Sequence, residues 1–359
     1  MINYNSLKTY RVIGVMSGTS LDGLDLAYCN FTEDEGKWSY KIIQATTLPY
    51  SYKWKKKLIN LPEQDHDIIV QTDRDLGKYI GIAVSDFIEA SKLATDIVAS
   101  HGHTIFHEPE KRLTLQIGDA QSILDHCGIT VINDFRSSDV AMGGQGAPLV
   151  PIGDRLLFSD FDYCLNIGGF ANISYEENSK RIAFDICPAN MVLNHLSESI
   201  GKSFDNKGMI AAGGSIVQAM VDELEALDYY TMTGPRSLGR EWVETIIFPI
   251  LNKYNEHPPE DLLASFTEHI ALRIAAGTGD DPNQKMLLSG GGAYNDHLVS
   301  RMKEHCRVSI VVADPLIIEF KEAMIFAFLG VLRMREEVNV LGSVTGSGKD
   351  HSAGTILLR

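Results

Sequence analysis

Two aspartates, Asp22 and Asp25, follow directly on Ser17-Gly18-Thr19-Ser20, and this meeting of small residues with acids is the first pattern in the chain that could do chemistry. Small residues let backbone N–H groups and hydroxyls turn toward an anion, and a neighbouring carboxylate can hold Mg²⁺ directly or through water. The stretch therefore reads as a phosphate-binding turn, although taken alone it is equally a hairpin with a polar tip. Two further glycine-bearing turns repeat the theme: Gly168-Gly169 with Asn172 close behind, and Gly290-Gly291-Gly292. A nucleoside triphosphate held by the first two would meet backbone donors from both, and the third suits a base and ribose, where a flat ring needs close backbone approach. Asp185, at the end of an apolar run, is placed to act as a general base, and a helix N-cap role for it or for Asn190 stays open beside that reading.

These residues need elements to hold them. The first turn joins predicted strands at 11–16 and 24–31, followed by a strand at 38–46 and a helix over 73–94 with apolar residues at helical spacing. Short strands at 97–100, running into Ser-His-Gly-His-Thr, and at 114–117, running into Gly118-Asp119, put polar groups at carboxyl ends, where open α/β sheets bind ligands. A helix over 120–127 and a strand at 130–132 come next, and the Gly- and Pro-rich segment 141–151 reads as a crossing between domains. Beyond it the order recurs: strands at 162–167, 171–175 and 181–184 around a glycine turn, then a helix over 189–200. Further helices are predicted over 216–227, 240–254, 259–277 and 321–337, with strands at 285–288, 308–311 and 355–358. A repeat of pattern without repeat of sequence predicts two related α/β domains facing each other over a cleft.

Composition narrows the partners. The 359 residues are 44% hydrophobic, enough for two packed domains, and 47 acidic against 32 basic residues give a net charge of -15, which repels a phosphodiester backbone. Nucleic acid is therefore not an expected partner, whereas a small anion remains compatible through local donors and a cation. The five scattered cysteines, with no C-x-x-C pair, read as reduced core residues of a cytoplasmic protein. No apolar run approaches the roughly 20 residues of a membrane span. Thr345-Gly346-Ser347-Gly348-Lys349-Asp350 mimics the end of a Walker loop, but Ser343 stands where its first glycine belongs and Asp350 where a hydroxyl residue belongs. His101, His103 and His107 lack a cysteine or carboxylate at ligand spacing and read as strand-end hydrogen-bonding groups.

Several longer motifs carry a resemblance. They are GVMSGTSLDGLD at 14–25, SHGHTIFHEP at 100–109, LQIGD at 115–119 and VINDFRSSDVAMGGQGAPLVP at 131–151. The second half adds LNIGGFANIS at 165–174, FDICPAN at 184–190, GPRSLGRE at 234–241, SGGGAYN at 289–295 and EAMIFAFLG at 322–330. With these the chain resembles, over nearly its whole length, the anhydro-N-acetylmuramic acid kinase family of the actin and hexokinase superfamily. The resemblance implies two ribonuclease-H-like, actin-like ATPase domains across a nucleotide and substrate cleft, one of residues 1–135 joined by the tail 340–359, the other of 136–339. It implies an ATP- and Mg²⁺-dependent cytoplasmic kinase of cell-wall recycling that opens the internal bridge of a small anhydro amino sugar while phosphorylating it, in a dimeric assembly.

The family's phosphate loop maps onto Gly18, Thr19, Ser20, Leu21, Asp22, Gly23, Leu24 and Asp25, with Asp22 toward Mg²⁺, and its catalytic aspartate onto Asp185. His103, Thr104 and Glu322 stand at the positions of its sugar contacts. Ala120 replaces a common proline and Asn194 a common acid, while Glu319 and Leu341-Gly342 also depart from the usual pattern. Two rivals are an actin-fold ATP-binding module that moves domains to grip a protein, and a kinase for a related sugar.

Overall fold

A computed structural model describes residues 9–359 apart from Thr19, Thr233 and Pro235, so the expected phosphate contact at Thr19 lies outside the described residues. Contacts divide the chain into two compact units: residues up to Leu157 with Phe320–Arg359, and Phe158–Glu319.

The first unit opens with three antiparallel strands, β1 (Thr9–Ser17), β2 (Gly23–Asp34) and β3 (Lys37–Pro49). β1 is buried at all but two positions, which explains its unbroken apolar run, whereas β3 forms the outer edge and exposes many of its residues. Helices α1 (Tyr52–Asn60) and α2 (His66–Ser91) follow, and Leu76, Ile80, Val84 and Phe87 of α2 enter the core. Strand β4 (Ile97–Glu108) runs parallel to β1 and continues through all three histidines, well past the predicted end at residue 100. It can do so because Gly102 adopts φ +72° where a Cβ would lie 2.3 Å from the carbonyl of Ile117. Strand β5 (Leu113–Ile117) pairs back on it, and α3 (Ala120–Cys127), β6 (Val131–Asn133), α4 (Ser137–Ala141) and α5 (Val150–Leu157) complete this stretch.

The glycine-rich segment expected as a bare crossing is fastened inside this unit. The buried carboxylate of Asp139 accepts the Gly146 N–H at 2.7 Å and the Thr345 hydroxyl at 2.7 Å.

The second unit repeats the plan with β7 (Tyr163–Ile167), β8 (Phe170–Glu177) and β9 (Lys180–Pro188) antiparallel, then α6 (Asn190–Glu198) and α7 (Gln218–Glu225). The helix predicted over 240–254 is broken into α8 (Arg240–Trp242), a π turn at Val243–Ile247 and α9 (Phe248–Asn252). After α10 (Pro259–Ala276), strand β10 (Lys285–Ser289) runs parallel to β7, and α11 (Asp296–His305) leads to β11 (Ser309–Val312), parallel to β10. The two sheets are ordered β3-β2-β1-β4-β6 and β9-β8-β7-β10-β11, the same ribonuclease-H-like order built twice, with β5 as a branch from β4 in the first.

Helix α12 (Pro315–Met334) starts six residues before the predicted position, because the Asp314 carboxylate accepts the Ile317 N–H and Pro315 takes the first helical position. The tail forms α13 (Gly342–Thr345) and β12 (Thr355–Leu357), which joins the first sheet antiparallel to β6. Residues 136–157 and 320–339, assigned to the second domain by sequence, belong to the first unit. A buried Lys321–Asp154 pair at 2.7 Å and the contact of Gly153 with Ile325 hold α5 against α12 there.

Candidate active site

The carboxyl ends of β1 and β4 meet in register at Ser17 and His103, and the first loop leaves from that point. Its turn is closed by the Leu21 N–H donating to Gly18 O at 3.2 Å. Leu21 has φ +57°, a strained setting for a branched side chain, compensated by burial of that side chain in the core. Gly18 faces open space, its nearest neighbour being Ser20 Oγ at 3.6 Å from a Cβ, so its backbone is free to approach a ligand. Gly23 serves a different end: a Cβ there would lie 2.5 Å from Leu48 O, so it permits β2 to close on β3. Leu24 is fully buried and anchors β2. Ser20 and Asp22 are exposed, and the Asp22 carboxylate has no partner among the described residues, while Asp25 accepts the Thr47 hydroxyl at 2.5 Å. An unengaged carboxylate beside an open glycine turn fits the way Mg²⁺ is usually held, by one or two acids together with phosphate oxygens and water.

Behind the loop, Tyr50 OH donates to Ser17 Oγ at 2.8 Å, and Ser17 Oγ lies 3.0 Å from His103 Nδ1. Burial lowers the His103 pKa and outweighs an opposing contact with the Ser17 main chain; burial also pushes the Tyr50 phenol up to about 12. Thr104, next on β4, accepts from Gln116 Nε2 at 3.4 Å. Arg136, not singled out by sequence, donates through Nε to His101 Nε2 at 3.0 Å and through Nη1 to Gly146 O at 2.7 Å. Burial brings its pKa down to about 10, against the pull of Glu322, so it stays charged at neutral pH.

Glu322 is positioned by α12, which lies directly on β1: a Cβ on Gly14 would fall 1.8 Å from Ala323 O. The Glu322 side chain retains solvent-accessible surface although protein crowds it from most sides. That crowding raises its carboxyl pKa, with Arg136 pulling it back and Asp25 adding to the rise.

In the second unit Asn166, Asn172 and Asp185 stand opposite one another across β7, β8 and β9, forming a polar row on one face of the sheet. Asp185 is gripped on its main chain by the Tyr229 hydroxyl, which donates to its carbonyl at 2.6 Å, and by its own N–H donating to Arg236 O at 3.0 Å. Its Oδ2 accepts the Leu238 N–H at 2.8 Å; Oδ1 has no partner among the described residues. Burial raises the Asp185 pKa and the Leu238 N–H moderates the rise, as suits a base that must collect a proton. The N-cap alternative is not realised, since the first N–H groups at α6 are taken by Gly168 and Gly169 carbonyls instead.

The second turn has fewer free donors than expected, because the Gly168 N–H donates to Phe170 O at 3.0 Å. Neither glycine would place a Cβ within 3.7 Å of another group, so both still face open space. In the third cluster Gly290 has φ +79° and Gly292 packs on Ile167, where a Cβ would fall 2.2 Å from Cγ2, while Gly291 is exposed. Gly291 borders a 710 Å³ pocket within this unit, whose walls include Asn190, Asn194, Phe204, Lys207 and Tyr294.

Sequence reading missed Tyr50, Arg136, Asn166 and the Leu238 N–H. Arg136 and Asn166 each sit at or just beyond a strand's carboxyl end, a signal the sequence does carry; the other two come from distant segments and leave none.

A family model described as anhydro-N-acetylmuramic acid kinase matches residues 10–359. A protein of that name from Francisella tularensis subsp. novicida is 33% identical over 93% of this chain and 95% of its own length. Namesakes from Coxiella burnetii and Acinetobacter baylyi are 34% and 33% identical, each over 96% of this chain and over 97% and 98% of their own lengths. With the family model spanning almost every residue and such relatives aligned nearly end to end, the chain belongs to the anhydro-N-acetylmuramic acid kinase family.

Proposed function

We propose that this chain uses ATP to phosphorylate 1,6-anhydro-N-acetylmuramic acid while water opens its internal bridge, giving N-acetylmuramic acid 6-phosphate for cell-wall recycling. The observation that carries the reading is the half-engaged carboxylate of Asp185: one oxygen fixed by a backbone N–H, the other open, on a main chain held at two points. Asp185 Oδ1 accepts a proton from a water molecule as that water attacks the anomeric carbon, and the bridging oxygen, released from that carbon, takes the γ-phosphoryl group. Backbone donors at Gly18 and Ser20 in the first loop orient the phosphates, and in the second unit Asn172 lies on the same sheet face as the base. The base and ribose occupy the pocket beside Gly291.

His103, Thr104 and Glu322 contact the sugar, and the Arg136 charge offsets anionic character near Glu322. Asp22 holds Mg²⁺, through water or directly, and Mg²⁺ there would neutralise charge on the phosphate oxygens. A cytoplasmic location and a homodimer accord with this role; no helix among the described residues is long and apolar enough to cross a membrane. Incubation with ATP, Mg²⁺ and a panel of anhydro and reducing amino sugars, read by mass spectrometry, tests the assignment. A product heavier by one phosphate and one water from the anhydro sugar supports it, and phosphorylation of reducing sugars alone refutes it.

A further inference from the structure

Tyr50, Ser17 and His103 are all buried, at 4%, 2% and 4% exposure, so the hydrogens they share must be satisfied among themselves. A serine hydroxyl has one hydrogen and two lone pairs. The Tyr50 proton occupies one lone pair of Ser17 across 2.8 Å, and the hydrogen of Ser17 itself has no acceptor among the described residues other than His103 Nδ1 at 3.0 Å. If Nδ1 carried a hydrogen, Ser17 would receive two donors and its own hydrogen would be stranded inside the protein, an arrangement buried hydroxyls avoid. Ser17 therefore donates to a bare Nδ1, and a neutral ring keeps its single hydrogen on Nε2. No protein partner of Nε2 occurs among the described residues, and the atom is not sealed from solvent.

We propose that Tyr50 and Ser17 are positioning residues that hold His103 as its Nε2–H tautomer, making the ring a neutral N–H donor to an oxygen of the bound ligand. The opposite tautomer would turn a lone pair toward that oxygen and repel it. Only the identity of the ligand rests on the kinase reading; the tautomer follows from the three side chains.

Long-range ¹H–¹⁵N spectra of the full chain labelled with ¹⁵N-histidine read the tautomer directly, with His103 picked out among the 11 histidines by His103→Gln. The expected wild-type spectrum shows one neutral tautomer, hydrogen on Nε2. Tyr50→Phe removes a single oxygen, freeing Ser17 to accept from Nδ1–H, and should yield a mixture; Ser17→Ala should abolish the preference, and Ser17→Thr, which keeps the hydroxyl, should restore it. A wild-type ring protonated on Nδ1, or a tautomer unmoved in both Tyr50→Phe and Ser17→Ala, overturns the proposal. A non-hydrolysable ATP analogue with Mg²⁺ and the anhydro sugar are then added separately. A shift of the Nε2–H resonance with one of them supports the donor role and tells a phosphate oxygen from a sugar oxygen. No shift with either refutes that role, while phosphoryl transfer, measured independently on the same protein, still decides the kinase reading.

Discussion

In the proposed reaction the chemistry at Asp185 falls to one atom. With Oδ2 committed to the Leu238 N–H, Oδ1 is the oxygen left to accept a proton, so Asp185→Asn should lower turnover roughly 10²–10⁴-fold, the range for loss of a general base, with ATP binding by calorimetry nearly unchanged. The pH dependence follows in sign. Burial raises this carboxyl above its ordinary value of 3.8, and a base works only when deprotonated, so kcat/KM falls as pH drops through that raised pKa, starting nearer neutrality than for an exposed aspartate. Crowding by surrounding protein raises Glu322 as well, and Glu322→Gln separates the two: the acid limb should persist in that variant and vanish from the residual activity of Asp185→Asn. An acid limb lost with Glu322 would reassign the base.

At the scale of elements, glycines set how closely the site's supports pack. Helix α12 reaches β1 only because Gly14 has no Cβ, so Gly14→Ala, meeting Ala323 O at 1.8 Å, must push α12 and Glu322 away from the strand. Overpacking of this kind costs about 1–3 kcal/mol or more, and a lowered Tm together with a raised sugar KM is expected. Tyr229→Phe deletes the hydroxyl that fixes the Asp185 carbonyl and should reduce kcat with little change in ATP affinity, measured by steady-state kinetics and calorimetry.

Much of this layer was legible: the strand, glycine turn, strand, strand order stands out in both halves because buried strands and tight turns impose short-range signals. What stayed hidden depends on contacts distant in sequence. Residues 141–151 look like a linker until Asp139 and Thr345 are seen to tie them down, and the histidines of β4 look like a loop until Gly102 folds against Ile117. The grip of residues 229–238 on Asp185 spans more than 40 positions and has no local signature.

At the scale of the whole molecule, the proposed reaction couples opening of the sugar's internal bridge to phosphoryl transfer, and that coupling has a measurable signature. Such coupling is expected to make ATP hydrolysis without sugar slow, because water is not aligned for the γ-phosphate until the sugar is bound. It also separates this chain from an actin-fold ATPase module, whose chemistry would end at inorganic phosphate. The measurement that bears on this most directly is a reaction in ¹⁸O-labelled water with ATP, Mg²⁺ and the anhydro sugar, analysed by mass spectrometry of every product. The proposed reaction puts label on the anomeric hydroxyl of the phosphorylated sugar and none in its phosphate ester, because in it Asp185 activates the water and the sugar's own bridging oxygen takes the phosphoryl group. Label in inorganic phosphate with the sugar unchanged would contradict it.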